Sequence, residues 1–243
     1  YAHSIIPGEI PELNDRKSYF FFMRREDEFE SLKTAIELCK TRLPKAYGYD
    51  PFDDIQVLCL SRIGAVGTEN VNRALQAALN PPSGKKCEMQ MFDRVVFRDG
   101  DKIMQTKNDY DVEWTRGAEK SHGIYNGDIG RILTTDRVNH RCEIDFEGRN
   151  ARYEADMLKK IELAYAVTVH KSQGSEYPAV ILLLPNQFNK LSYRNLLYTA
   201  ITRAKKTLIV IGTETKIEQM VRSDRRDERF SNLAPMLEDM FVE

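Results

Sequence analysis

Apolar residues recur along this chain in two styles. Near the start, SYFFFM (Ser18–Met23) predicts a short strand. Phe29, Leu32, Ile36, Cys39 and Leu43 follow at alternating spacings of three and four, the signature of one helical face, and Pro44 is expected to end that helix. IQVLCL (Ile55–Leu60) is a continuous apolar run, which suits a strand covered on both faces by helices. Beyond Gly64 and Gly67, Thr68 is the expected N-cap of a helix carrying Val71, Leu75 and Ala78. The breaker cluster NPPSGKK (Asn80–Lys86) marks a boundary.

From about Cys87 to Ile161 the style changes to short strand-like pieces divided by turn signals. RVVF, DKIMQ, RCEIDF and RNARYEA alternate apolar and polar positions. Asn126-Gly127 reads as a hairpin dipeptide, and Glu147-Gly148 separates two strands. This spacing predicts a small β barrel, which also holds Trp114, the single tryptophan of the sequence. The first style then returns. AYAVTVH, AVILLL and TLIVIG are strands, Ser192 opens a helix bearing Leu196, Leu197, Ala200 and Ile201, and a last helix carries Leu233, Leu237 and Met240. The expected fold class is α/β. A parallel-sheet domain is built from residues 1–88 and 162–243, and residues 89–161 form an inserted barrel.

Composition narrows the chemistry. The chain has 243 residues with 36 Lys+Arg and 37 Asp+Glu, so its net charge of −1 excludes a polybasic tail. No apolar run approaches the roughly 20 residues that span a bilayer. Cys39, Cys59, Cys87 and Cys142 form no CxxC pair, and the four histidines lack metal-ligand spacing, so no metal site is expected. Charge is uneven, however. Between Lys159 and Lys206 eight basic residues face two acids, an excess of +6 that leaves −7 elsewhere. Such a segment can build a basic groove in a neutral protein.

The most informative stretch is AYAVTVHKSQGSEYPAVILLL, Ala164 to Leu184, where a polar loop joins two apolar strands. Ligands of open α/β sheets bind at strand ends, and Gly174 could let a backbone approach one. Lys171, Gln173 and Glu176 bring a cation, an amide and a carboxylate. By pattern alone a solvated polar loop explains the stretch equally well.

TVHKSQGSE resembles the fifth conserved motif of superfamily one helicases of the RecD-like branch. RNLLYTAITRAKKTLIVIG (Arg194–Gly212) is similar to the sixth, and LSRIGAVGTENVNRALQAALNP (Leu60–Pro81) to the fourth. GDKIMQTKNDYD with YNGDIG is a further match. The resemblance implies a RecA-like domain with an inserted SH3-like barrel. It implies that Arg203 is a catalytic arginine finger whose guanidinium stabilises charge on the transferring phosphoryl group. Arg62, Gly174 and Glu176, with Arg203, are the implied nucleotide contacts. Thr168, His170 and Lys171 are implied contacts to DNA phosphates, which position a strand without reading its sequence. Read without the family, Arg203 is a surface residue complementing a helix dipole, Arg62 a loop arginine, and His170 a histidine at a strand end.

The family further implies ATP and Mg²⁺, held mainly by an N-terminal RecA-like domain, because GxxxxGK[ST] does not occur in this sequence. The chain is therefore expected to be the C-terminal motor region of an ATP-dependent DNA helicase. Its implied partners are single-stranded DNA, duplex ends, that N-terminal domain and subunits of a recombination or repair complex, in the cytoplasm and with no membrane. Alternatives are a Pif-type helicase, the helicase half of a conjugative relaxase, or a non-catalytic DNA-binding or assembly module. Glu176 and the TRA of TAITRA count against the first.

Overall fold

The computed structural model describes residues 19–91, 95–187 and 191–223. Five parallel strands form one sheet: β1 (Phe20–Arg24), β2 (Ile55–Cys59), β12 (Ala166–Thr168), β13 (Tyr177–Leu183) and β14 (Ala204–Gly212). Their spatial order is β1-β14-β13-β2-β12. Every residue of β2 is buried, as a continuous apolar run in a doubly covered sheet requires. One face packs α1 (Glu28–Glu37), α2 (Leu43–Tyr47) and α3 (Thr68–Leu79) through Leu32, Leu43, Val71 and Leu75. The other packs α4 (Arg194–Ile201) and α5 (Glu214–Arg222) through Leu197, Ala200, Ile217 and Met220.

Between β2 and β12 lies the antiparallel region. β3 (Glu88–Gln90) pairs with β4 (Val96–Arg98). Seven further strands form one sheet in the order β11-β5-β8-β9-β10-β6-β7. They are β5 (Lys102–Gln105), β6 (Asp109–Arg116), β7 (Glu119–Ile124), β8 (Ile129–Asp136), β9 (Arg141–Phe146), β10 (Arg149–Tyr153) and β11 (Ile161–Leu163). β9 shows the period-two logic: Cys142, Ile144 and Phe146 enter the core while Glu143 stays exposed. Fold class is thus α/β, a RecA-like parallel sheet with an inserted SH3-like barrel. The antiparallel sheet runs to Leu163 through the pairing of β11 with β5.

Local expectations need four corrections. Phe29, in the first turn of α1, is 73% exposed, while the buried face runs through Ser31, Leu32, Thr34 and Ala35 and on to Leu38, Cys39 and Leu43 across a π turn at Leu38–Arg42. Pro44 does not end that helix. The backbone is already helical at Arg42 and stays so through Pro44, and Gly48 at φ 71° supplies the stop. The N-cap of α3 is Gly67, one residue before Thr68. Asn126-Gly127 makes a turn but no hairpin, since β8 pairs with β5 and β9 and not with β7. The helix expected at Leu233–Met240 lies outside the described residues.

Buried amides fasten the barrel to the parallel sheet. Asn72 of α3 donates to Leu163 O and Ala166 O, both at 2.9 Å, and accepts from Ala166 N at 2.7 Å. Gln56 of β2 donates to Ala164 O and Tyr165 O. Asp101 is fully buried and accepts from Gln76 Nε2 (2.6 Å), Asn80 Nδ2 (2.7 Å), Tyr165 OH (2.8 Å) and Arg98 N (2.7 Å). Burial pushes its carboxyl up, and these donors pull it back. Among the described residues no helix is long and apolar enough to cross a membrane.

Lys102 of β5 also enters the junction and donates from Nζ to Ile55 O at 3.2 Å. Burial lowers its pKa from 10.5 to about 8, against the attraction of Asp53, Cys39, Asp50 and Asp54. Between those values the unfolded chain holds a proton that the folded chain lacks, so this group makes stability rise with pH there. Below about pH 8 its full penalty, on the order of 3 kcal/mol, is present. Lys102→Met should therefore gain most over the parent near pH 7. That advantage should shrink steadily from pH 8 to 10 in paired denaturant melts. A pH-independent difference would mean that Lys102 is not desolvated.

Candidate functional site

The strand registers sort the sequence-predicted residues into two groups. Thr168 pairs with Cys59, and Cys59 with Leu183, so β12, β2 and β13 leave the carboxyl edge of the sheet together. Tyr177 pairs with Ala204, and Ala179 with Ile55, at the amino edge. The segment 169–176 therefore starts at one edge and finishes at the other. Its first turn is a 3-10 helix at His170–Ser172, fixed by Ser172 Oγ donating to Val169 O at 2.7 Å.

At the carboxyl edge, Val169 N donates to Cys59 O at 3.0 Å, continuing the ladder into the loop. Thr168 Oγ1 accepts a long bond from Lys171 N, at 3.4 Å. His170 Nε2 lies 3.3 Å from Tyr193 OH, a partner that the sequence did not suggest. Lys171 turns away from this group, and its ammonium is 2.6 Å from Glu162 Oε1 of β11. The residue expected to offer a free cation is thus already paired, and the basic excess of the sequence gave no sign of that. Arg62, expected with the nucleotide set, stands three residues beyond Cys59 at this same edge. Its guanidinium meets Glu69 at 3.1 Å in an exposed pair.

At the amino edge, Arg203 is half-buried. It donates from Nε to Thr199 O (3.1 Å), from Nη1 to Ser175 O (2.9 Å) and from Nη2 to Thr202 Oγ1 (3.1 Å). All three acceptors are neutral. The backbone closes the same contact, since Tyr177 N donates to Arg203 O at 2.8 Å. Thr199 thus meets Arg203 through its carbonyl, while its hydroxyl bonds Asn195 O. Glu176 and Lys205 form an exposed pair at 3.7 Å, of a kind that contributes little. Gly174 has φ 86°, and a Cβ there would meet nothing within 4 Å. Backbone conformation, and not close packing within the chain, is what calls for glycine at this position.

A cleft of about 670 Å³ opens between Ser175–Tyr177 and the barrel turn Gly127–Arg131, with Lys102 in its wall. The Arg131 guanidinium lies over the Phe52 ring, 4.4 Å from its centroid, and helps bridge the two units. Among the described residues no group of three or more His, Cys, Asp or Glu could hold a metal ion.

Two family models match this chain. Residues 71–146 match the SH3 domain of ATP-dependent RecD-like DNA helicases, and residues 163–211 match the UvrD-like helicase C-terminal domain. The chain is 31% identical over 212 residues to the ATP-dependent RecD2 DNA helicase of Deinococcus radiodurans. The chain belongs to the RecD-like helicase family. That alignment covers 87% of this RecD-like chain and 26% of the relative. The RecBCD enzyme subunit RecD of Mycolicibacterium smegmatis is also 31% identical, over 81% of the chain and 33% of its own length. The chain thus spans about a quarter and a third of the length of these two curated relatives. A crystal structure of Pif1 helicase from Candida albicans shares the fold, with a TM-score of 0.51 at 15% identity over 98% of this chain and 56% of that one. In this RecD-like chain the SH3 match begins inside α3, so it includes Asn72, Gln76 and Asn80. The C-terminal match contains both Thr168–Glu176 and Arg203.

The Arg62 loop is built around Gly67. A Cβ there would lie 2.5 Å from Arg62 O and 2.6 Å from Ile63 C, backbone atoms that cannot rotate aside. Gly67→Ala should destabilise the chain by about 1–3 kcal/mol through overpacking. Gly84→Ala, where a Cβ meets open space, should leave the urea midpoint unchanged. Equal midpoints for the two variants would show that the loop can open freely.

Proposed function

We propose that this chain is the C-terminal motor region of an ATP-dependent DNA helicase that moves along single-stranded DNA and unwinds duplex. In this reading residues 1–88 and 162–243 form the second RecA-like domain, and residues 89–161 the inserted barrel. ATP lies between this domain and an N-terminal RecA-like domain. Mg²⁺, when bound, would neutralise charge on the phosphates and would be held mainly by that other domain. The working compartment is the cytoplasm, and recombination or repair subunits are the natural protein partners.

The observation that carries the reading is the path of residues 169–176. They begin beside Thr168 and His170 at the carboxyl edge and end at Ser175, bonded to Arg203, at the amino edge. Thr168 and His170, with Lys171 once it leaves Glu162, are proposed to hold DNA phosphates. Gly174 and Glu176 border the nucleotide. Arg203 is proposed to turn its guanidinium onto the transferring phosphoryl group, where a planar fork matches the oxygens better than an ammonium does. One short segment would then be strained or relaxed by both ligands, which is how hydrolysis can move DNA.

Arg203 gives the decisive test, made in the complete protein that carries a phosphate loop. Arg203→Ala should lower kcat for ATP by on the order of 10³-fold, with a smaller change in nucleotide affinity. Arg203→Lys should rescue poorly. A thermal melt run beside the kinetics separates this from simple loss of the bonds to Thr199 and Ser175. A folded Arg203→Ala protein with normal kcat would return the chain to a DNA-binding or assembly role.

A further inference from the structure

Arg203 is held by one edge of its guanidinium. Nε and Nη2 lie along the same side of that plane, and both are spent on the end of α4, on Thr199 O at 3.1 Å and Thr202 Oγ1 at 3.1 Å. Nη1, on the other side, donates to Ser175 O at 2.9 Å. The helix can supply an acceptor here because the last carbonyls of a helix have no partner within it. Thr202 is the C-cap, at φ −71° and ψ −5°, and its N–H returns to Tyr198 O at 3.0 Å. Its hydroxyl has one hydrogen, which goes to Thr199 O at 2.9 Å. The oxygen is thereby left as an acceptor for Arg203 Nη2. Thr199 spends its own hydroxyl on Asn195 O at 2.8 Å, so its carbonyl alone serves the arginine.

Such a clamp leaves the end of the guanidinium usable. Nη2 keeps a second hydrogen, and with Nη1 it makes another fork at the tip of the plane. A pair of anionic oxygens can be met there while the bonds to Thr199 O and Thr202 Oγ1 stay in place. Only the bond to Ser175 O has to be given up. That exchange is favourable in sign, since a carbonyl is neutral and bonds to an ionised acceptor are stronger. We propose that Thr202 is a positioning residue for phosphoryl transfer. Its hydroxyl locks the side edge of Arg203 onto the end of α4, so the guanidinium enters the reaction already oriented and exchanges only its contact with Ser175. This rests on the arginine-finger reading, with Thr202 acting through Arg203. A threonine hydroxyl bonded to the carbonyl three residues back can also serve the local backbone alone, and a role confined to that would alter stability without touching turnover.

The test is steady-state ATPase kinetics of the complete protein, with thermal melts alongside. Thr202→Val keeps the shape of the side chain and loses the acceptor. It should lower kcat by up to about 10²-fold, the scale of a misplaced catalytic group, with KM for ATP nearly unchanged. Thr202→Ser should restore most of kcat. Adding Thr202→Val to Arg203→Ala should lower kcat no further, because the two side chains act as one unit. Where valine costs the fold, Thr202→Ala carries the same comparison. In the 243-residue chain the Nε–H of Arg203, assigned by its loss in Arg203→Ala, should exchange slowly with water by NMR, and several-fold faster in Thr202→Val. If Arg203→Ala is slow in turnover while a folded Thr202→Val matches the parent in kcat and in exchange, this proposal falls and the finger stands. If the two substitutions add, Thr202 acts independently of Arg203 and the proposal falls as well. A normal kcat in Arg203→Ala overturns both.

Discussion

A fully buried carboxyl group ties the two halves of this molecule together. Asp101 sits at the turn that enters β5, fully buried, and its oxygens are reached by Gln76 and Asn80 from α3, by Tyr165 from the entry to β12 and by Arg98 N from β4. A buried carboxyl group is tolerable only when its lone pairs are satisfied. The constraint is therefore mutual. α3, β4, β5 and the return into the parallel sheet must all arrive in register, or a charge is left unsolvated. Neighbouring amides extend the condition to the chain itself, with Asn72 and Gln56 satisfying the backbone of residues 163–166. Once that junction is set, the amino edge of β2 faces the barrel, and Ser175–Tyr177 share a cleft with its turn.

The same geometry explains why the candidate residues fall into two places. A strand order of β13-β2-β12 obliges the connection from β12 to β13 to cross the end-to-end length of β2. Thr168 and Ser175, close in sequence, finish at opposite edges. The family resemblance had grouped residues by motif. The sheet groups them by edge.

Much of the parallel sheet was legible. β2, β13 and β14 hold short apolar runs rich in β-branched residues, and their length and flanks favour a buried strand over a helix. The barrel strands were legible as pieces, but their order was not. Asn126-Gly127 announces a turn, whereas partner choice depends on strands far away in sequence. Phe29 misled because spacing alone does not say how far towards the start of a helix its buried face extends, and here that face is carried by Ser31 and Thr34 beside Leu32 and Ala35. The junction amides looked like surface polarity. Asn72, Gln76 and Asn80 do recur every fourth residue beside Val71 and Leu75, and an amide stripe bordering an apolar one is the signal that could have exposed them. The Lys171–Glu162 and Arg62–Glu69 pairs left no trace in charge counting, which sums charges without pairing them.

The attachment of the barrel also sets how this architecture can vary. Its entry from α3 and its exit into β12 are clamped side by side, so it is a bracket bolted at one place and not a pendant on a string. Load applied anywhere on the bracket arrives at the amino edge of β2 and β12. Length changes at a tip such as the turn at Gly117, in left-handed backbone between β6 and β7, leave the bolts untouched. Such an insertion can lengthen, shrink or acquire new surfaces over evolutionary time while the motor beneath it keeps its geometry.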